Sequence, residues 1–314
     1  MAKKFDVQFK CQHEWGWLLS TWLFLSATGS CLFLLYELFG LPKYFAQLSL
    51  GIIVAGGIVL LLELGSPMRA WRGISRLGSS WLSRGALSVG LFVVSGALLI
   101  APSYPAFAGL PWNETSAFGR LLEWLAALCA VMITLYPGIF LSQNRSIPFW
   151  HSPGLVLLMV LFAWLGSASV VLLGSATAGA NSPVITSLPW MVLLTLVVGA
   201  IYVSIKASSG GAAAESVRLL LAGPVKATFW IGVVGVGMVL PVLLLFGKAA
   251  PELAGLCLLA GGFLARYCIL SVGVYVPSTA VNSGIDFSKL CRTSNALLER
   301  EYAGMAAGLA AKRA

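Results

Sequence analysis

The chain has 314 residues, of which 59% are hydrophobic and only 10% are charged, and its mean hydropathy is +0.91. Soluble domains carry roughly 25% charged residues, so this composition indicates an integral membrane protein and excludes an ordinary soluble domain. The net charge of +9 comes from basic residues in short loops and tails beside apolar segments. This distribution follows the positive-inside rule and does not indicate nucleic-acid binding.

Eight apolar segments are long enough to cross a bilayer, for which a helix needs about 20 mostly apolar residues. Backbone polar groups inside hydrocarbon must be satisfied within each segment, so the segments are expected to be helices. In chain order the predicted spans cover residues 15–39, 44–64, 85–101, 121–141, 153–174, 188–205, 227–246 and 253–276. The sequence therefore predicts an all-α integral membrane protein with eight transmembrane helices. We expect two four-helix bundles, 1–152 and 153–276, followed by a tail, 277–314.

The even number of spans places both termini on one side of the membrane. Sixteen of the 20 lysines and arginines fall on that side, and one lies within the eighth span. The opposite side receives only Lys43, Arg120 and Lys248. Because cytoplasmic loops are enriched in lysine and arginine, this bias predicts cytoplasmic termini in the inner (plasma) membrane of a prokaryote.

The second span ends in a concentration of polar residues. Glu63 is followed by the helix-breaking sequence Gly-Ser-Pro at 65–67 and by Arg69. Further arginines precede the third span at positions 72, 76 and 84. Charges cost little in the headgroup region but several kcal/mol deeper in the bilayer. The segment is therefore either a topology anchor or the floor of a site that handles a polar group at the membrane surface.

Antiparallel helices bring distant parts of the sequence to this same face. The first and third helices start there, and the second and fourth helices end there. Donors and acceptors beside tryptophans and aliphatic side chains suit a quinone, which needs hydrogen bonds at two carbonyls and an apolar channel for its tail. The candidate catalytic residues are His13, Glu63, Arg69 and Tyr136. The candidate quinone-binding residues are His13, Trp15, Arg69, Tyr136, Arg145 and Trp150.

Each candidate also has a simpler interpretation, which the sequence leaves open. Tryptophans at a membrane boundary commonly form an aromatic belt, interfacial histidines are commonly solvated, and arginines anchor topology. Glu63 is alternatively a carboxylate that extends to the membrane surface or an ion-pair partner of Arg69. Tyr136 is alternatively an ordinary residue at a helix end.

Two further ionisable residues are candidates for a proton path. Arg266 stands roughly midway through the eighth span, where a charge is costly, and Glu123 lies near the opposite face. Arg266 is either structural, paired with backbone carbonyls or with Glu123, or part of a water-filled path for protons.

The chain lacks the ligand pattern of a redox metal. His13 and His151 are the only histidines and neither lies within a span, whereas a transmembrane b-type haem usually needs histidines from facing helices. The six cysteines include no Cys-x-x-Cys pair, so we expect no iron–sulfur cluster or zinc site. Electron exchange by this chain would therefore use quinone alone, with metals on partner subunits.

Several motifs resemble the membrane anchors of complex iron–sulfur molybdoenzymes. These anchors are the DmsC-type subunit of dimethyl sulfoxide reductase and the NrfD/polysulfide reductase membrane subunits. The similar segments are Leu-Gly-Ser-Pro-Met-Arg-Ala at 64–70, Arg-Leu-Gly at 76–78, Leu-Ser at 82–83, Glu-Trp-Gly-Trp at 14–17 after His13, Tyr-Pro-Gly-Ile-Phe-Leu-Ser at 136–142, Ile-Pro-Phe-Trp-His-Ser-Pro at 147–153, and Arg266.

The resemblance implies an NrfD/PsrC-like anchor in a heterotrimer with a molybdopterin catalytic subunit and a ferredoxin-like iron–sulfur subunit. It implies a site for menaquinone or ubiquinone in the first bundle, with no haem, iron–sulfur cluster or molybdenum in this chain. Two positions depart from the family patterns. Glu63 replaces a histidine of DmsC, so proton transfer there would use a carboxylate. Pro137 replaces a threonine of NrfD, which removes a backbone donor beside Tyr136.

The predicted orientation of the chain in the membrane narrows the choice among complexes of this family. In dimethyl sulfoxide and polysulfide reductases the face with the site looks outward, whereas the charge bias here turns it toward the cytoplasm, as in SoeABC-type sulfite:quinone oxidoreductases. We therefore expect a quinone-interacting anchor of a sulfite dehydrogenase-type complex, or of a dimethyl sulfoxide or polysulfide reductase-type complex. The alternatives are a secondary transporter, although the polar residues do not gather at the midplane, and a structural anchor without quinone chemistry.

Overall fold

The computed structural model describes residues 10–12, 15–63, 78, 80–107, 109–113, 115–174 and 182–276. Eight helices within these residues are long and apolar enough to cross a bilayer, which confirms the all-α membrane fold. In chain order the helices are α1 (Trp17–Phe39), α2 (Tyr44–Glu63), α3 (Trp81–Ile100), the short 3-10 turns Ala101–Ser103 and Pro105–Phe107, α4 (Ala117–Ser142), α5 (Pro153–Leu173), α6 (Pro183–Ser208), the shorter α7 (Gly211–Ala222), a π-helix (Thr228–Val239) continued by α8 (Leu240–Phe246), and α9 (Pro251–Ser271).

Capping residues explain why some helices begin before the predicted apolar segment. α3 starts four residues earlier because the side chain of Ser80 accepts a hydrogen bond from the amide of Ser83, at 3.4 Å. Ser116 caps α4 in the same way, with 3.1 Å between its hydroxyl and the amide of Gly119. Such side chains satisfy amide groups that the first helical turn leaves unpaired, so a polar turn extends each apolar span.

Two short strands join the ends of the membrane-spanning region. β1 (Lys10–Cys11) pairs in antiparallel fashion with β2 (Val274–Tyr275), and the amide of Gln12 donates to the carbonyl of Gly273 at 2.8 Å. The last helix ends at Ser271, five residues before the predicted limit, because the chain enters this pairing. Both ends therefore lie at one face, here called the N-terminal face. Its exposure to the cytoplasm stays a prediction.

Helix α1 is the central element of the bundle. It packs against α2 and α4 and also against α5 and α9. Small and hydroxylated residues allow this close packing: the hydroxyl of Ser167 donates to the carbonyl of Thr28 at 2.7 Å, and Ser30 and Thr134 share a hydrogen bond of 2.9 Å. Such contacts are expected between membrane helices. Lipid is as apolar as the protein interior, so helices associate through close packing and hydrogen bonds between them. The largest hydrophobic core includes residues from both halves of the chain, and the division into two bundles at residue 152 stays a prediction.

Helix α7 connects the sixth and seventh spans at the N-terminal face. It buries small and aliphatic side chains, including Val217 and Leu220. On its other side, Arg218 donates to Glu215 at 2.8 Å. This hydrogen bond from Arg218 lowers the pKa of Glu215, so the pair remains ionised near neutral pH. One apolar and one charged side are typical of a helix at a membrane surface.

Candidate functional site

Tyr136 lies in the last two turns of α4, where its ring position is fixed by close packing. The ring lies on Gly85 of α3, and a Cβ atom at Gly85 would be only 2.4 Å from Cε2 of Tyr136. The side chain is 8% exposed. Among the residues that the structure describes, none forms a hydrogen bond with the hydroxyl of Tyr136. The packing therefore leaves a fixed donor for another molecule.

Tyr136 begins a row of stacked aromatic rings at the N-terminal face. Its ring centroid is 5.5 Å from that of Phe140, and Phe140 is 5.7 Å from Trp15. Trp15 in turn stacks on Trp150 at 5.2 Å with an interplanar angle of 4°. We call these four residues the aromatic row. It provides apolar aromatic surface beside the Tyr136 side chain.

The loop between α4 and α5, residues 143–152, is held in place by residues from the second half of the chain. Trp150 is fully buried, and its indole N–H donates to the carbonyl of Ile269 at 2.8 Å. Lys206 of α6 donates to the carbonyls of Pro148, at 2.6 Å, and His151, at 3.1 Å. These bonds fix the ring of Trp150, and the stacking on Trp150 then fixes Trp15.

Lys206 is unusual because it is only 6% exposed and has no carboxylate partner in the described part of the chain. One helical turn earlier, the hydroxyl of Tyr202 donates to the carbonyl of Phe149. A buried ammonium is tolerated when its protons are hydrogen-bonded, and here the loop carbonyls accept two of them. Lys206 and Tyr202 therefore attach the loop to α6.

The structure brings together three of the sequence-predicted site residues, namely Trp15, Tyr136 and Trp150. Arg145 lies in the same loop as Trp150 and is exposed. The indole N–H of Trp150 is already used by Ile269, so Trp150 can contribute packing but no hydrogen bond to a ligand. His13, Arg69 and the side chain of Glu63 lie outside the described residues, and their convergence with Tyr136 stays a prediction.

Of the two candidates for a proton path, Glu123 and Arg266, only Glu123 is clearly remote from the aromatic row. Glu123 is half-buried in the second turn of α4, 13 residues and therefore about 20 Å along the helix axis from Tyr136. Arg266 is fully buried in the last third of α9 and not midway along the span, because the helix ends at Ser271. In the described residues it forms no ion pair, with Glu123 or any other carboxylate.

Arg266 is compensated only in part. One terminal nitrogen donates to the carbonyl of Gly262 at 2.9 Å, and the guanidinium lies over the rings of Phe24 and Phe162 at 5.3 and 6.0 Å. Its Nε and Nη2 atoms have no acceptor in the described residues. The interpretation that Arg266 is structural and paired with backbone carbonyls is therefore supported for one terminal nitrogen. The Nε and Nη2 atoms remain available to water.

Sequence reasoning missed three residues that build the site. Phe140 links Tyr136 to Trp15, Gly85 receives the ring of Tyr136, and Lys206 holds the loop. Lys206 was counted only as a topology residue. The signal that could have identified it is its spacing of four residues from Tyr202, which places a basic and an aromatic side chain on one face of α6.

Within the described residues, no three histidine, cysteine, aspartate or glutamate side chains come close enough to hold a metal ion. The arrangement at the N-terminal face therefore consists of the Tyr136 hydroxyl, stacked aromatic rings and a fixed loop. Chemically, it can bind a planar apolar molecule and donate a hydrogen bond to it.

Comparison with known proteins agrees with this description. Residues 7–278 match the model of the family described as polysulphide reductase, NrfD. The protein NrfD of Escherichia coli is 24% identical over 304 residues, covering 82% of this chain and 94% of NrfD. A polysulfide reductase chain of Wolinella succinogenes is 27% identical, covering 73% of this chain and 79% of its own length. A sulfite dehydrogenase subunit of Allochromatium vinosum is 30% identical over 159 residues, or 46% of each of the two proteins. The match to the family model extends over most of the sequence and confirms the resemblance seen in the motifs: this chain belongs to the NrfD family.

Proposed function

We propose that this chain is the quinone-interacting membrane anchor of a molybdopterin and iron–sulfur oxidoreductase, and that it passes electrons between a cluster-bearing partner and the quinone pool. The names of two relatives, a polysulfide reductase chain and a sulfite dehydrogenase subunit, support a role as one subunit of an oxidoreductase. The observation that carries the quinone proposal is the Tyr136 side chain: its ring is fixed by Gly85 and Phe140, and its hydroxyl forms no hydrogen bond with any described residue.

A bound menaquinone or ubiquinone supplies the two-electron, two-proton chemistry, and the residues of this chain bind it and handle its protons. Tyr136 donates a hydrogen bond to one carbonyl oxygen. Phe140 and Trp15 would offer the edges of their rings to the quinone, because neighbouring rings of the aromatic row stack on their faces, while Trp150 holds Trp15 in position. Neutral aromatic surfaces and a tyrosine hydroxyl fit this ligand because it is planar, apolar and able to accept hydrogen bonds.

The remaining roles are assigned from the sequence. His13 donates a hydrogen bond to the second carbonyl, Arg69 provides positive charge beside a carbonyl, and Glu63 relays a proton. Glu123 and Arg266 belong to a proton path. We propose that buried water lies near α1 and α9. Buried waters bridge polar groups that lack protein partners, and such groups here are the Nε and Nη2 atoms of Arg266 and the hydroxyls of Ser26 and Thr28 on α1.

The partner subunits are proposed to bind at the N-terminal face. Segment 65–84 and loop 143–152 carry basic residues in the sequence, and Arg145 in the loop is exposed. An acidic or mixed surface of a ferredoxin-like subunit would complement them and bring its nearest cluster close to the quinone, with the molybdopterin subunit attached beyond it. The charge bias supports a cytoplasm-facing complex of the sulfite dehydrogenase type, with a dimethyl sulfoxide or polysulfide reductase type as the alternative.

Turnover by the assembled complex tests the site. Tyr136→Phe and Arg69→Ala should each lower quinone-linked turnover by roughly 100-fold, the lower limit for losing one preorganised hydrogen-bond donor or charge, while artificial-dye activity of the catalytic subunit is unchanged. Tyr104→Phe is a matched control, because Tyr104 is exposed at the opposite face. Wild-type quinone turnover in both Tyr136→Phe and Arg69→Ala would remove the proposed site and leave a structural anchor.

A further inference from the structure

A cavity of about 340 Å³ lies among α5, α6, α7, the π-helix and α9. It extends from Leu220 and Trp230, near the N-terminal face, inward to Met238 and Phe162. The cavity thus follows the π-helix for most of its length. Its volume lies within the roughly 300–1,000 Å³ typical of ligand-binding pockets.

The packing of the π-helix explains why the cavity exists. Gly237 of the π-helix and Gly261 of α9 approach so closely that a Cβ atom at either glycine would be 2.2 to 2.5 Å from the Cα atom of the other. The π-helix is therefore held against α9, whereas it packs only marginally on α6. The space between α6 and the π-helix remains unfilled by protein. π-Helical geometry is rare in proteins.

The cavity lining offers little to a polar ligand. The hydroxyl of Thr195 donates to the carbonyl of Met191 at 2.7 Å, and the indole N–H of Trp230 donates to that of Leu221 at 3.2 Å. The hydroxyl of Tyr202 donates to the carbonyl of Phe149. The remaining hydroxyl, that of Ser204, is on the exposed side of α6. Water would have too few partners inside, and a quinone carbonyl would find no free buried hydroxyl or indole donor. A hydrocarbon chain fits this lining.

A basic residue lies close in the chain to the lining residue Trp230, at the N-terminal end of the cavity. Lys226 is exposed, precedes Trp230 by one helical turn, and forms no ion pair with any residue that the structure describes. Arg218 on the neighbouring α7 is by contrast paired with Glu215. An apolar channel in the membrane with a free ammonium at its headgroup end matches a phospholipid. We infer that this cavity binds one acyl chain of an anionic phospholipid, with its phosphate beside Lys226.

Native mass spectrometry of the detergent-purified complex, loaded with isotope-labelled phosphatidylglycerol, tests this inference. Gly199 lines the cavity, and a Cβ atom there would have only Leu158 within 4 Å, at 3.8 Å. Gly199→Leu therefore fills the cavity with little strain on the backbone. Gly90→Leu on α3 is the control, because nothing lies within 4 Å of a Cβ atom at Gly90.

The wild-type complex and Gly90→Leu should each retain one labelled lipid per copy of this protein. Gly199→Leu should reduce retention at least tenfold, and Lys226→Gln should weaken it about fivefold, the effect of one cation near a membrane surface. Equal retention by Gly199→Leu and the wild type, or no retention by the wild type, would overturn the inference. So would retention of a quinone in place of the phospholipid. None of these results depends on activity at Tyr136.

Discussion

Gly85 provides the sharpest test of the proposed site because it positions Tyr136 without taking part in chemistry itself. In Gly85→Ala, the new methyl group would be 2.4, 2.6 and 2.8 Å from three atoms of the Tyr136 ring. Ordinary van der Waals contact begins at 3.4 Å, so the ring must shift by about 1 Å. The ring also stacks on Phe140, so the shift should extend along the aromatic row.

The expected magnitudes follow from this displacement. Overpacking costs about 1–3 kcal/mol, and the gain of helix propensity from glycine to alanine returns about 1 kcal/mol, so the net loss of stability should be at most about 2 kcal/mol. A misplacement of about 1 Å in a reactive group reduces rates by as much as 100-fold. Gly85→Ala should therefore retain its fold but lose most quinone turnover.

The assay compares quinone-linked turnover with artificial-dye activity in the purified complex, beside thermal unfolding. Gly90→Ala on the same helix is the control, because a Cβ atom at Gly90 has no neighbour within 4 Å. We expect wild-type turnover in Gly90→Ala and dye activity close to wild type in both variants. If Gly85→Ala turns over quinone at the wild-type rate while folding normally, the position of Tyr136 does not matter and the site proposal fails.

Two further variants test the buried cations. Lys206→Met removes both bonds to the loop carbonyls of Pro148 and His151 and should lower stability by about 1–3 kcal/mol, measured by thermal unfolding against Lys226→Met. A melting temperature equal to that of the wild type would show that Lys206 does not hold the loop. Arg266→Met should leave stability unchanged or raise it, because a partly compensated buried charge is replaced by an apolar chain of similar length. Unfolding of Arg266→Met several degrees below the wild type would instead identify the guanidinium as structural and weigh against the proton path.

The eight spans, and the common face of the two ends of the membrane-spanning region, could be predicted from the sequence. Hydrocarbon imposes requirements on each segment separately, namely about 20 apolar residues and internally paired backbone groups, so local composition is sufficient. The limits of the helices were less predictable where polar caps such as Ser80 extend an apolar span, or where pairing with β1 ends α9 early. The gathering of Trp15, Tyr136 and Trp150 at one face also followed from alternating helix direction.

Only the tertiary structure determined which side chains touch. The stacking through Phe140, the placement of the Tyr136 ring on Gly85 and the bonds from Lys206 to the loop depend on helix rotation and spacing. In a bilayer nearly every position of a span is apolar, so hydrophobicity does not distinguish the lipid-facing side from the packed side. Close packing of small residues decides the rotation of each helix, and the sequence shows these residues without their partners. For the same reason the contacts of Arg266 were known only once α1, α5 and α9 were in place.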